Sequence, residues 1–328
     1  MARAGMKQFA LAELVGAASG RIVDTALPQP ASGEVRVRVE AVGLGFVDDL
    51  IVSGRYQWKP QLPFVPGGEI VGTVEAVGEG VQGLTTGTRV AAWRMGGGLC
   101  EYCTLPAGYL VPVPAPLASA DAAGMVLDYA TADYALIGRG QLRKGDTVFV
   151  LGATGGVGGA AVRIARAAGA EVIAGVSNLS QGDKVLADGA SAVVDCSAPD
   201  WRDQLRGHPL DLVFDPLGGA FTEPAFRSLG KLGRHLVVGF AAGGIPALPV
   251  NLPLLKSASL VGVDVRFFAE SDPEGFRQRL ALVFDQAARG SLRPPETLCF
   301  SLGEAAAAFA ALTRRGRGGK VVVCPQLS

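Results

Sequence analysis

Hydrophobic and charged residues alternate over residues 33–40, with Val35, Val37 and Val39 facing one way and Arg36, Arg38 and Glu40 the other. A period of two predicts a half-buried strand. Residues 70–77 and 88–93 carry similar short strand patterns, and Pro66-Gly67-Gly68 and Gly78-Glu79-Gly80 supply turns. The first third of the chain therefore reads as an all-β unit, a small barrel. From residue 147 the pattern changes. Strands are expected at 147–151, 171–176, 192–195, 211–215, 235–240 and 259–265, and apolar stretches of helical period separate the earlier ones. That βαβ rhythm predicts a doubly wound parallel sheet. In the helix expected after residue 156, Val157, Ala161, Ile164, Ala165 and Ala168 share one face, Arg163 and Arg166 point away, and Gly169 stops the helix. Near the end of the chain, Pro273 opens a helix and Gly290 closes it. Ser301 and Glu304 have capping-box spacing ahead of a helical stretch at 305–312, and residues 320–324 read as a closing strand that returns to the β unit.

Composition narrows the classes. A chain of 328 residues suggests one large or two medium domains, and 49% hydrophobic residues with 46 glycines suggest a sizeable, compact core. The formal net charge is zero, which leaves no electrostatic case for a nucleic acid or an anionic membrane as partner. No apolar run reaches spanning length and no signal-peptide pattern opens the chain. The first strand-like pattern begins near Met6-Lys7, so the first five residues read as an extension. The five cysteines are scattered and odd in number, which points to a reducing cytoplasm rather than a disulfide framework.

The candidate chemistry centres on Gly152-Ala-Thr-Gly-Gly-Val-Gly158, set between a buried strand and an alanine-rich amphipathic run. Glycines at 152, 155 and 158 let the main chain approach phosphate oxygens, and the helix start aims N–H groups at them. Gly152, Ala153, Thr154, Gly155, Gly156, Val157 and Gly158 are therefore expected to hold a dinucleotide. The strand that follows ends in Ser177-Asn178, with no acidic residue to hold ribose hydroxyls. This favours NADPH over NADH, with Lys184 and Arg315 as candidate partners of the 2′-phosphate. No metal is expected. The two histidines, His208 in a turn and His235 opening a buried strand, read as structural. Cys100 and Cys103 have no second pair nearby, and the strand pattern through Glu101 and Tyr102 puts them on opposite or offset faces. Without a metal, direct oxidation of a plain alcohol lacks a Lewis acid.

Several stretches together resemble the medium-chain dehydrogenase/reductase family in its zinc-independent, quinone oxidoreductase-like branch. They are Ala41-Val-Gly-Leu-Gly-Phe-Val-Asp48, Ser53-Gly-Arg-Tyr56, Pro63-Phe-Val-Pro-Gly-Gly-Glu-Ile-Val-Gly72, the glycine turn, Asp215-Pro-Leu-Gly-Gly219 and Gly319-Lys-Val-Val-Val323. The resemblance implies an α/β fold: a GroES-like β-barrel catalytic domain from residues 1–120 and 266–328, and a Rossmann dinucleotide-binding domain from 121–265. It implies NADPH as cofactor, a small-molecule acceptor such as a quinone, enone or enoyl thioester, and a homodimer paired through the Rossmann sheets. Positions that carry a cysteine and a histidine ligand in zinc-containing relatives fall at Gly45 and Gly68. Tyr56 matches a family residue and is the best donor for the developing enolate. Tyr129, the second catalytic candidate, and Thr131 lie in a segment that relatives place by the nicotinamide, and Gly239, Phe240 and Arg315 join the implied cofactor contacts. Two departures stand out: relatives commonly have asparagine at Gly45 and a 2′-phosphate lysine at Gln181. Asp48 and Asp49 read as structural or rim charges, and Arg55, Lys59 and Arg94 as solvated rim. Two other readings remain open: an NADPH-binding structural or sensor protein with little turnover, and a zinc-type alcohol dehydrogenase relative.

Overall fold

The computed structural model describes residues 5–314, 316 and 318–327. The chain opens with an antiparallel pair, β1 (Gly5–Ala10) and β2 (Arg21–Ala26). Next come β3 (Glu34–Leu44), α1 (Phe46–Val52), β4 (Glu69–Val77), β5 (Arg89–Trp93), β6 (Tyr102–Pro106) and β7 (Val111–Pro112). The helix α2 (Ser119–Asp133) leads into β8 (Thr147–Val150), α3 (Gly156–Ala167), β9 (Glu171–Val176), α4 (Gly182–Ala187), β10 (Ala192–Asp195) and β11 (Leu210–Asp215). Then follow α5 (Thr222–Ser228), β12 (Leu229–Val237), α6 (Asn251–Lys256), β13 (Ser259–Gly262), α7 (Val265–Ser271) and α8 (Pro273–Ala288). The chain closes with β14 (Thr297–Ser301), α9 (Ala305–Leu312) and β15 (Lys320–Cys324).

These elements form two compact units. One contains the chain up to Leu127, residues 272–290 and the chain from Pro294; the other contains residues 128–271 and 291–293. The dividing point lies inside α2, a continuous helix whose composition does not change there.

In the first unit a mostly antiparallel sheet runs β14-β15-β3-β4-β5-β7. The long strand β3 is its spine: β4 pairs along one edge, and β15 and β6 share the other. Val35, Val37 and Val39 are fully buried, as their alternation requires. Arg36 on the opposite face is also nearly buried, because Glu75 at 2.5 Å and the Pro28 carbonyl satisfy its guanidinium. The C-terminal strand β15 comes back antiparallel to β3, and the Ser301–Glu304 capping box forms ahead of α9. Pro273 starts α8 with Asp272 as its N-cap, and Gly290 follows the helix at φ +74°.

Lys320 at the head of β15 donates to Glu69 at the head of β4 over 2.7 Å, with side chains 2% and 1% exposed. The other Glu69 oxygen accepts the Leu127 N–H at 2.9 Å. A buried ion pair tolerates desolvation only when its remaining bonding capacity is met, and here the main chain contributes to that.

The alternation expected through the Cys100–Cys103 segment breaks. The backbone bends at Glu101, whose carboxylate turns inward to accept the Lys7 N–H at 2.6 Å. Both thiols therefore enter the same core, at 2% and 5% exposure, and hydrogen-bond to one another. That bond holds the Cys103 thiol below its ordinary range against the effect of burial, while Cys100 is pushed well above.

In the second unit six parallel strands run β10-β9-β8-β11-β12-β13, the order of a doubly wound sheet. The order of strand addition reverses at β8: the chain builds outward to β9 and β10, then crosses back to lay β11 on the other side of β8. The strand expected at 235–240 begins earlier, at Leu229, and ends at Val237; the one expected at 259–265 stops at Gly262 and gives way to α7. Arg163, expected to point into solvent from α3, is 8% exposed and makes a bidentate pair with Asp188 at 2.8–3.0 Å. Helical periodicity could not reveal a cation whose partner stands 25 residues later.

Replacing Lys320 by Met strands a buried carboxylate. Urea unfolding of Lys320→Met is expected to show about 3–5 kcal/mol lost, with the Glu69→Gln/Lys320→Met double variant recovering most of it. A loss below about 1 kcal/mol would mean the pair behaves as a solvated one.

Candidate functional site

β8 runs straight into the glycine turn and α3 follows. Gly152 adopts φ +61°, and its carbonyl accepts the Gly155 N–H at 2.9 Å. A Cβ on Gly158 would overlap that carbonyl, so only glycine lets the helix start this close to the strand end. Ala153 is buried and donates its N–H to the Gly175 carbonyl of β9 at 3.1 Å, tying the turn to the neighbouring strand. The N-cap of α3 is Gly155, so no N-cap side chain takes up the first helical N–H groups. A cradle that a Cβ would fill, at the positive end of a 12-residue helix, fits a pyrophosphate.

The neighbouring strand ends complete the rim. Beyond β11, Asp215 accepts the Leu217 and Gly218 N–H groups at 3.0 and 2.8 Å through one oxygen. Through the other it accepts the Thr222 hydroxyl at 2.7 Å and pairs with His235 Nε2 at 3.0 Å. Burial alone would raise this carboxyl; the His235 hydrogen bond and charge, the Gly218 N–H and the Thr222 hydroxyl hold it below its ordinary range. His235 is wholly buried inside β12 and structural, with Nδ1 left without a partner among the described residues. The network shapes the 215–219 loop so that Leu217 packs on Gly152, where a Cβ would stand 3.1 Å from Leu217 Cδ2. Gly239 and Phe240 leave β12 at the same level: a Cβ on Gly218 would stand 2.7 Å from the Phe240 ring, and one on Gly239 3.2 Å from the Pro216 carbonyl. Ser177 and Asn178 leave β9 exposed, and Asn178 Oδ1 accepts the Ser180 N–H at 2.9 Å. The carboxyl ends of β9, β8, β11 and β12 thus bring together the glycine turn, Ser177-Asn178 and Gly239-Phe240, at the switch point where doubly wound sheets bind ligands.

Other expected residues stand apart from this cluster. Tyr129 requires a correction. It is 1% exposed, its hydroxyl donates to the Arg293 carbonyl at 2.6 Å, and Arg163 donates to it at 3.1 Å. Burial pushes the phenol up to about 12. The sequence expects a donor facing substrate; the apolar face of α2 instead carries the ring into the interior. Thr131 sits half-buried on α2, and Arg315 lies outside the described residues. Tyr56 packs half-buried against the core of the first unit. The basic residues expected at a solvated rim are partnered. Arg94 donates to the Gly96, Gly97 and Thr104 carbonyls, Arg55 pairs with Asp49 at 2.7 Å, and Lys59 donates to the Gly54 carbonyl. Asp48 closes α1 by accepting the Gly45 N–H at 2.9 Å.

The two positions that could have carried metal ligands differ sterically. A side chain at Gly68 would overlap the Arg94 carbonyl, whereas a Cβ at Gly45 would stand 3.4 Å from Glu69 Oε1 and 3.8 Å from both Asp48 Oδ2 and Lys320 Nζ. Among the described residues no three His, Cys, Asp or Glu side chains gather as a metal set. None of the described helices is long and apolar enough to cross a membrane.

Comparison with known proteins agrees with this architecture. Residues 31–115 match the alcohol dehydrogenase GroES-like domain, and residues 156–284 match the zinc-binding dehydrogenase family. The quinone oxidoreductase-like protein 2 homolog of Nematostella vectensis is 34% identical over 299 residues, 89% of this chain and 82% of that protein. The structure of a mycobacterial quinone oxidoreductase superposes with a TM-score of 0.89 at 31% identity, covering 98% of this chain and 100% of the other. The CurK enoyl reductase superposes at 0.87 with 25% identity, covering 98% and 99%. The chain belongs to the medium-chain dehydrogenase/reductase family, a class of oxidoreductases that bind a nicotinamide dinucleotide. Within it the chain falls in the quinone oxidoreductase-like branch, with a GroES-like unit and a Rossmann unit.

The burial of Tyr129 has a measurable consequence. A phenol near 10 when unfolded and about 12 when folded binds its proton more tightly in the folded state. Its share of stability is complete below pH 10 and lost between about pH 10 and 12, some 2–3 kcal/mol in all. Urea unfolding across that range is expected to show the loss in the wild type and much less of it in Tyr129→Phe, with turnover at neutral pH altered less than about threefold. A large loss of turnover in Tyr129→Phe with unchanged stability would restore the phenol to the chemistry.

Proposed function

We propose that the protein is an NADPH-dependent reductase that delivers hydride to a quinone or to an activated C=C bond, in an enone or enoyl thioester, without a metal ion. The observation that carries this reading is the uncapped glycine turn at the switch point of the Rossmann sheet. Main-chain N–H groups at the start of α3, those of Gly156, Val157 and Gly158, hold the pyrophosphate. Ser177 and Asn178 receive the adenosine ribose, and the absence of a carboxylate there leaves room for a 2′-phosphate. Gly239 and Phe240 border the nicotinamide end. NADPH, when bound, supplies the hydride. Tyr56 donates a hydrogen bond to the oxygen on which negative charge develops. The resemblance to quinone oxidoreductases and to an enoyl reductase supports both acceptor classes. Steric closure at Gly68 argues against the zinc-type alcohol dehydrogenase reading, since no ligand side chain fits there. We place the enzyme in the cytoplasm, in keeping with five free cysteines.

We also propose a homodimer, paired along β13. This edge strand bonds only to β12, and Leu254, Leu255 and Leu260 on α6 and β13 are exposed. Unpaired strand edges beside apolar surface are covered in stable proteins.

The purified protein is expected to consume NADPH with at least one acceptor from a panel of quinones, enones and enoyl thioesters, read as loss of reduced-nicotinamide absorbance. It is expected to bind NADPH at least about tenfold more tightly than NADH, and Tyr56→Phe to lower kcat by about tenfold without changing NADPH affinity. Tight binding with no turnover across the panel would instead favour a sensor. Light scattering is expected to report a dimer that Leu260→Asp splits; a monomeric wild type would refute the pairing.

A further inference from the structure

Gly156 opens α3 yet is not one of the three regularly spaced glycines. Its reason for being glycine lies on another helix. A Cβ at this position would overlap Asp128 Oδ2 and stand 3.0 Å from Cγ and 3.2 Å from Oδ1 of the same carboxylate. Asp128 immediately precedes Tyr129, whose position is over-determined. The ring is 1% exposed, the hydroxyl is tied to Arg293 and to Arg163 of α3, and Asp188 locks Arg163 in turn. Through that anchor α2 and α3 are held together at one point, and the preceding residue delivers its carboxylate against the first residue of α3. A negative charge thus stands beside the amides that fit a pyrophosphate. The spaced-glycine pattern needs no such group, and any side chain at residue 156 would exclude it.

We propose that Asp128 sets the affinity for the dinucleotide: its carboxylate opposes the pyrophosphate charge at the turn, so that the cofactor is held less tightly and exchanges faster than the turn alone would allow. This rests on the dinucleotide reading of the glycine turn. Like charges a few ångströms apart in a partly desolvated groove repel strongly, and added salt screens the repulsion. In the free protein the same carboxylate meets the positive end of the helix, which favours it there.

The test is binding, not turnover. NADPH dissociation constants are measured for the wild type, Asp128→Asn and Asp128→Ser at low and high salt, with adenosine 2′-monophosphate as a probe lacking the pyrophosphate. Both variants are expected to bind NADPH about tenfold more tightly at low salt, with a smaller gain at high salt. NADPH release is expected to slow, and affinity for the probe to stay unchanged. Equal or weaker NADPH binding by folded variants, beside a wild type that binds, would overturn the proposal and make Asp128 a helix-capping or ligand-holding group. A wild type that binds no NADPH would overturn the dinucleotide reading itself.

Discussion

One steric constraint underlies the rest: the β8–α3 turn leaves no room for a side chain at Gly158 and needs left-handed backbone at Gly152. Gly158 lies against the Gly152 carbonyl and Gly152 sits in left-handed backbone space. Without these two features α3 could not begin so near the strand end. Its uncapped N–H groups could not then stand level with the ends of β9, β11 and β12. In a site made of backbone, geometry supplies the donors and the helix supplies the field.

Within each unit the molecule uses buried charge as scaffolding. Asp215 holds the 215–219 loop through four partners on its two oxygens, the Leu217 and Gly218 N–H groups, the Thr222 hydroxyl and His235, and Leu217 in turn packs on Gly152. Arg163 and Asp188 anchor Tyr129, and Lys320 and Glu69 join the heads of β15 and β4. Each of these pairs costs desolvation and is stable only because its hydrogen-bonding capacity is met. The same accounting moves Tyr129 from chemistry to structure, since a phenol sealed between a carbonyl and a guanidinium has no donor left for a substrate.

Membership of a family named for zinc-binding dehydrogenases sits beside a chain that has glycine where such enzymes would place ligands. At Gly68 the Arg94 carbonyl occupies the space a side chain would need. At Gly45 the space persists, bordered by Glu69, Asp48 and Lys320. The two positions therefore differ sterically, and Gly45 is the one that accommodates a polar side chain without rebuilding the fold.

Much of this was legible in the linear chain. Alternating valines marked β3, spaced glycines marked the turn, and Pro273, Gly290, Ser301 and Glu304 marked helix ends, because strand period, left-handed backbone and capping are local properties. What escaped was set by residues distant in sequence. The inward turn of Glu101, which unites Cys100 and Cys103, depends on Lys7. The burial of Arg163 depends on Asp188, the sealing of Tyr129 on Arg293, and the need for glycine at 156 on Asp128. Composition and spacing alone thus determined the class of sheet, its glycine turn and the helix limits. Only packing decided which polar groups face a ligand and which are spent holding the scaffold, because a buried polar group is defined by a partner that the local sequence does not contain.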